Sequence, residues 1–189
     1  MNIILASNSP RRTEILNLAN IKHIVIPSHV EEVVKDGLTP PEIVMDLSHQ
    51  KALDVYKNHN DDLVIGSDTI VVIDNNILGK PKDKDDAVRM LQMLSGKTHE
   101  VITGVAILYK DEVIKFYDVS LVTFYEMSLK DIEEYISRDN VYDKAGSYAI
   151  QESCCKHIKK IDGDYYNIMG LPISKLYQIL KEKKLLSNQ

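Results

Sequence analysis

Residues 2–12 read Asn2-Ile3-Ile4-Leu5-Ala6-Ser7-Asn8-Ser9-Pro10-Arg11-Arg12, and this stretch sets the fold class. Its first half is a short apolar run, the mark of a buried strand. Ser7-Asn8-Ser9-Pro10 breaks the run. Ser9 suits an N-cap and Pro10 the first helical position, so a helix is expected to about Ala19, with Ile15, Leu16 and Ala19 facing inward. The turn also gathers two hydroxyls and two guanidiniums. Free N–H groups at a helix start attract anions, and the helix dipole adds to the attraction. Arginine forks bind phosphate oxygens in pairs. Basic residues in a first turn oppose the dipole, and such local violations often mark functional sites. Ser7, Ser9, Arg11 and Arg12 are therefore candidate phosphate ligands; the plainer alternative is a capped helix with solvated arginines.

Working outward, residues 23–27 form a second candidate strand. Thr39-Pro40-Pro41-Glu42 is a capping box that opens a helix to about Tyr56, with Ile43, Val44 and Leu47 inward. Two buried strands are expected at 63–66 and 70–73, and Asp74-Asn75-Asn76 turns a hairpin. Asp83 caps a helix carrying Ala87, Val88, Leu91 and Leu94 on one side, stopped by Gly96. Long strands at 99–109 and 113–125 meet at Lys110-Asp111, the second alternating clearly between its faces. Ser128 caps a helix through Ile136. Residues 142–151 read as loop and short helix, 155–161 as a strand, 167–172 as a structural turn, and Pro172 begins a final helix to about Leu186. Helices alternate with both hairpins and longer crossovers, so the class is α/β with a mixed sheet. No repeat, low-complexity stretch or long linker divides the chain, and one domain over 1–189 is expected.

The chain has 189 residues, with 23 Lys and Arg against 28 Asp and Glu, for a net charge of −5. Apolar residues make up 44% and charged residues 27%, an ordinary globular composition. A chain this long buries roughly 70% of its unfolded surface without help from disulfides or structural metal. No apolar window is long enough for a membrane span. No signal peptide is evident, so a cytoplasmic location is expected. The acidic balance argues against stable binding to nucleic acid, which needs a basic field. The basic run at 181–184 suits the last turn of a helix. Cys154 and Cys155 are adjacent and lack metal-ligand spacing, so they read as ordinary thiols.

Other stretches can carry chemistry. Gly66-Ser67-Asp68-Thr69 follows a strand, and ligands in open α/β sheets bind near strand ends. Asp68 could hold Mg²⁺ or activate water, or the stretch could be an Asx turn between strands. Lys80, in Gly79-Lys80-Pro81, could donate to phosphate or be a solvated loop residue; Lys51 is a weaker candidate of the same kind. Glu31-Glu32 could ligate a metal or simply be solvated. Gly96-Lys97-Thr98 imitates the end of a P-loop. The motif needs a glycine where Leu91 stands, and here a helix precedes and a strand follows. His99 reads as a strand-end residue. In Asp143-Lys144-Ala145-Gly146-Ser147-Tyr148-Ala149-Ile150-Gln151, the Gln151 amide offers both donor and acceptor, as the imide edge of a pyrimidine requires; otherwise this is a structured loop.

Taken in order, these stretches resemble the Maf family of nucleoside triphosphate pyrophosphatases. They run from Leu5-Ala6-Ser7-Asn8-Ser9-Pro10-Arg11-Arg12 through Ser67-Asp68-Thr69, Gly79-Lys80-Pro81, Leu94-Ser95-Gly96-Lys97-Thr98-His99 and residues 143–151 to Gly170-Leu171-Pro172. The resemblance implies an elongated mixed α/β sheet with flanking helices, the Maf/Ham type shared with inosine triphosphatases, with a cleft between two lobes. It implies hydrolysis of a nucleoside triphosphate to monophosphate and pyrophosphate with a divalent cation, Mg²⁺ or Mn²⁺, and a homodimer. The Asp68-Thr69 and Ile150-Gln151 pairs are similar to those of the branch acting on dTTP and UTP. The branch acting on 7-methyl-GTP usually has glutamine after the aspartate and glutamate at the later position. Carried over by position, Asp68 is the catalytic acid group, and Arg12, Thr69 and Gln151 are linked to specificity. Lys51 and Lys80 match lysines of the phosphate site, beside Ser7, Ser9 and Arg11 of the opening turn, and Asp68 and Glu32 stand at the metal. Where the family usually places glycines after the Ile-Gln pair, this chain has Glu152-Ser153-Cys154-Cys155. Two alternatives stay open: the same reaction on 7-methyl-GTP or another modified nucleoside triphosphate, or inhibition of septum formation and cell division through protein partners.

Overall fold

The computed structural model describes residues 1–186. The buried apolar runs assemble into one seven-stranded sheet. Its strands are β1 (Ile3–Leu5), β2 (Ile24–Val25), β3 (Leu63–Ile73), β4 (Asn76–Leu78), β5 (Thr98–Tyr109), β6 (Glu112–Phe124) and β7 (Ile158–Asp162). They lie in the order β2-β1-β3-β5-β6-β7, with β4 hydrogen-bonded to β3. β1 pairs in parallel with β2 and β3, while every other pairing is antiparallel. The mixed α/β class expected from the sequence is thus the one observed.

Helix α1 (Pro10–Leu18) follows β1 directly, and α2 (Pro40–Tyr56) crosses one face of the sheet. Thr39 donates from its backbone N–H and its hydroxyl to Glu42 at 2.8 and 2.6 Å, which closes the expected capping box. α3 (Lys84–Leu94), α4 (Leu129–Arg138), α5 (Tyr165–Met169) and α6 (Ile173–Glu182) complete the helices. The larger core unites Leu5, Ile15, Leu16, Leu91, Leu94, Phe124, Tyr135 and Leu176, while a smaller one packs Ala52 and Val55 of α2 on Ile4, Val64 and Ala106.

Several expectations are corrected. The strands expected at 63–66 and 70–73 are one continuous strand, so Asp68 and Thr69 lie in the middle of β3 rather than in a turn. Gly66 suggested a break, but its role is packing. A Cβ there would stand 2.2 Å from the Ser48 carbonyl oxygen, and one at Gly104 would stand 2.4 Å from Val44. The two glycines let α2 lie directly on the sheet. The second strand shrinks to Ile24–Val25, both exposed. Residues Ser153–His157 form a 3-10 turn, so the strand expected from 155 begins only at Ile158. The first half of the turn expected at 167–172 belongs to the short helix α5, and the turn itself follows from Gly170, in the left-handed region at φ 112°. The final helix ends at Glu182, four residues short of expectation. Ser9 occupies the N-cap position of α1, but its side chain makes no capping bond.

One feature of the register positions the site. Along one edge, β3 pairs with β1 over 63–65 and with β4 over 71–73. Between these partners the edge at 66–70 has no strand beside it. Because side chains alternate, Asp68 faces α2 while Thr69 faces α1 and α5. Both can be reached from the gap.

Candidate active site

A cleft of about 720 Å³ opens over this gap, within the range of roughly 300–1,000 Å³ typical of small-molecule sites. Its walls are the β1–α1 turn, the middle of β3, one side of α2, the Gly79-Lys80 turn, residues 143–151 and the end of α5. Ser7, Ser9, Arg11, Arg12, Glu32, Lys51, Asp68, Thr69, Lys80 and Gln151 all line it. Of these, Ser7 and Gln151 stand 144 positions apart in sequence and are thereby brought to one place.

The β1–α1 turn is held in shape by Arg12. Its Nε donates to the Gly170 carbonyl at 2.8 Å, Nη1 to Ser7 Oγ at 3.0 Å, and Nη2 to Thr69 Oγ1 at 3.2 Å. Burial pulls its pKa down to about 10, against attraction from Asp68 and Glu32, and it stays charged at neutral pH. Ser67 also donates to the Gly170 carbonyl, at 2.9 Å. Ser7 Oγ accepts from the Ser9 N–H at 3.2 Å as well as from Arg12, so both lone pairs are occupied and its proton is left for an acceptor.

On the other face of β3, Lys51 reaches from α2 between two carboxylates. Its Nζ lies 2.6 Å from Asp68 Oδ1 and 3.1 Å from Glu32 Oε1. Asp68 and Lys51 are mostly buried, their side chains 13% and 15% exposed, whereas Glu32 is 44% exposed. Among the described residues, no three His, Cys, Asp or Glu side chains gather as a metal-ligand group. Asp68 and Glu32 are nevertheless two hard oxygen donors converging on one cation.

The far wall is braced by a residue that sequence reasoning left unassigned. Lys144 is buried, and its ammonium bonds the Asn140 carbonyl, Asp143 Oδ1 at 2.9 Å and Glu152 Oε1 at 3.3 Å. Arg11 Nη1 joins the same cluster through Asp143 Oδ2 at 3.1 Å. Burial pushes the Asp143 carboxyl up, but the bonds from Lys144 and Arg11 outweigh it and leave the group below the usual range. The Gly146 N–H donates to the Gly79 carbonyl at 3.0 Å, tying the Lys80 turn to this wall. Gln151 and Lys80 are exposed at the rim. Glu152 thus anchors the segment that presents Gln151. Between the polar ends stands an apolar strip of Val30, Val34, Ile43, Leu47, Ile70 and Ile77.

Beneath the site lie Thr103 and Asn167, both fully buried and both missed in the sequence. Thr103 sits opposite Thr69 in the β3–β5 register, with 2.9 Å between their hydroxyls. The only sequence signal for Thr103 was a polar residue inside the mostly apolar run at 101–109. His99 is buried too, 2.8 Å from the Tyr148 hydroxyl and edge-on to Phe124 and Tyr148. That contact is structural, in keeping with its reading as a strand-end residue.

The chain is similar to known proteins along most of its length. The family described as "Maf-like protein" matches residues 2–183. A Bacillus cereus protein named dTTP/UTP pyrophosphatase is 48% identical over 180 residues, covering 95% of this chain and 94% of its own length. Proteins of the same name from Bacillus anthracis and Bacillus cytotoxicus are each 49% identical, over 180 and 179 residues, with the same coverage of both chains. Among solved structures, the Staphylococcus aureus Ham1 protein aligns over 66% of this chain and 72% of its own, with a TM-score of 0.47 and 15% identity.

Proposed function

Since this chain belongs to the Maf family, we propose that it hydrolyses dTTP and UTP to the nucleoside monophosphate and pyrophosphate. The observation that carries this reading is the Lys51 ammonium held by Asp68 and Glu32 in the same cleft as the phosphate-suited turn at Ser7–Arg12. A triphosphate is strongly anionic and the protein is acidic overall, so cations must be concentrated locally. Arg11, Arg12, Lys51 and Lys80 do this, with Ser7 and Ser9 offering donors. Phosphoryl-type transfer depends chiefly on positioning and charge neutralisation. Asp68 orients a water for in-line attack on the α-phosphorus and accepts its proton, and pyrophosphate leaves toward Lys80.

The donor set fits a divalent cation such as Mg²⁺ or Mn²⁺. Mg²⁺ is usually held by one or two carboxylates together with substrate phosphates, and Asp68 and Glu32 supply the two carboxylates. When bound, the cation neutralises charge on the phosphate oxygens. Gln151 and Thr69 read the pyrimidine edge, while the strip of Val34, Ile43 and Ile77 covers the ring face. A homodimer acting in the cytoplasm completes the reading, and sedimentation should give twice the chain mass.

The test is incubation with Mg²⁺ and dTTP, UTP, CTP, GTP, ATP or 7-methyl-GTP, with pyrophosphate and orthophosphate measured separately. Pyrophosphate from dTTP and UTP above the others is expected. Orthophosphate as the first product would overturn the cleavage site, and preference for a purine would overturn the base assignment.

A further inference from the structure

The hydrogen bonds around Thr69 admit a single assignment of protons. A hydroxyl carries one donor and two acceptor lone pairs. Thr103 donates its only proton to the Asn167 carbonyl at 2.8 Å. In the 2.9 Å contact between Thr69 Oγ1 and Thr103 Oγ1, Thr69 must therefore be the donor. Arg12 Nη2 donates to Thr69 Oγ1 at 3.2 Å, and a guanidinium cannot accept. Thr69 has thus committed its proton and one lone pair, and one acceptor lone pair remains. Ser7 has the opposite polarity, with both lone pairs occupied and a proton left over.

The base of this chain of bonds cannot turn away. Asn167 Nδ2 donates to the Val101 carbonyl at 3.0 Å and to Ser120 Oγ at 2.9 Å, while Ser120 Oγ donates to the Asp164 carbonyl at 2.9 Å. Asn167, Ser120 and Thr103 are all fully buried. The residue whose carbonyl takes the Thr103 proton is accordingly held to β5 and β6.

We infer that Thr103 is a positioning residue for the choice of base: by taking the proton of Thr69 it makes Thr69 Oγ1 an acceptor only, so the substrate group it meets is a ring N–H such as N3–H of uracil or thymine. This rests on the pyrimidine reading proposed above. A phosphate oxygen, itself an acceptor, has no bond to make with Thr69 and suits Ser7 instead. Cytosine presents a bare N3 lone pair where uracil presents N3–H, so lone pair would face lone pair. Sites built to pair polar groups reject such analogues because their own groups are left unpaired.

The experiment measures kcat/KM for UTP and CTP with the full chain and with Thr103→Val, Thr103→Ser and Thr103→Cys, each checked for folding by thermal melting. Thr103→Val keeps the volume but removes the acceptor, which frees the Thr69 hydroxyl to rotate and donate. The UTP-to-CTP ratio is expected to fall about tenfold or more in this variant, and to return to within about twofold of the parent in Thr103→Ser, which retains the hydroxyl. Thr103→Cys, with a weak acceptor, should fall between them and carries the test if Thr103→Val does not fold. An unchanged ratio in Thr103→Val, or an equal loss on both substrates, overturns the inference and leaves the pyrimidine reading standing. A parent enzyme without preference for UTP over CTP removes that reading and this inference together.

Discussion

Lys51 Nζ is shared by Asp68 Oδ1 at 2.6 Å and Glu32 Oε1 at 3.1 Å, so one formal positive charge stands against two formal negative ones before any substrate arrives. Replacing Asp68 by Asn keeps the shape and removes both the charge and the proton acceptor. Asp68→Asn should lower kcat by at least about 10²-fold, measured as pyrophosphate release from dTTP, with the melting temperature little changed. Near-full turnover in the folded variant would exclude Asp68 from the chemistry. Gln151 differs in kind, being exposed at the rim with its backbone held through Glu152 and Lys144. Gln151→Ala should leave stability alone and shrink the preference for UTP over CTP. A preference that stays put in that variant would remove Gln151 from base reading. The place of both residues in the cleft was legible in the sequence because their side-chain chemistry is specific. Lys144 was not, since a lysine in a polar stretch gives no sign that it will be buried among three oxygen acceptors.

At the scale of elements, the close seat of α2 on the sheet brings Lys51 to Asp68. Gly66 and Gly104 make that seat, with the Ser48 oxygen and Val44 backbone where their side chains would begin. Gly66→Ala or Gly104→Ala should force α2 away from β3 and β5 and cost about 1–3 kcal/mol, read from the shift in urea midpoint. Activity should fall as well, because Lys51 moves with its helix. An unaltered midpoint would show that the helix gives way freely. The sequence suggested a break at Gly66 because a glycine followed by Ser, Asp and Thr has the composition of a turn. Only the neighbouring helix explains why a long strand needs a residue without Cβ there. Residues 74–75, by contrast, were read correctly: Asp74 at φ 49° and Asn75 at φ 61° make the tight left-handed turn that Asp and Asn favour.

For the molecule as a whole, acid stability depends on histidines kept neutral in the fold. Desolvation pulls the pKa of His99 down to about 4, against an ordinary value of 6.5, and also lowers His49 and His157. The unfolded chain thus takes up a proton at His99 before the folded one does. Stability is fully present above pH 6.5 and falls as pH drops toward about 4. Across that window His99 alone contributes a loss of about 3 kcal/mol. Urea unfolding at pH 7.5 and 4.5 should show this loss in the parent and a smaller one in His99→Gln. Equal losses in the two proteins would assign the effect elsewhere. Carboxylates held low by their partners, such as Asp46, Asp54 and Asp131, add a further loss at lower pH as they protonate.

Local chemistry determined much of this protein. The strand-to-helix opening, the capping box at Thr39, the hairpin turns and ten of the polar side chains that line the cleft were readable, since propensity, capping and charge act between near neighbours along the chain. Tertiary structure decided the rest. It left the edge of β3 open at 66–70, placed Asp68 and Thr69 on opposite faces of that edge, and buried Thr103 and Asn167 beneath the site and Lys144 in its wall. The physical reason is that strand register and the burial of polar groups depend on contacts between residues distant in sequence. No periodicity or motif within a single segment encodes which hydroxyl will have its proton already taken.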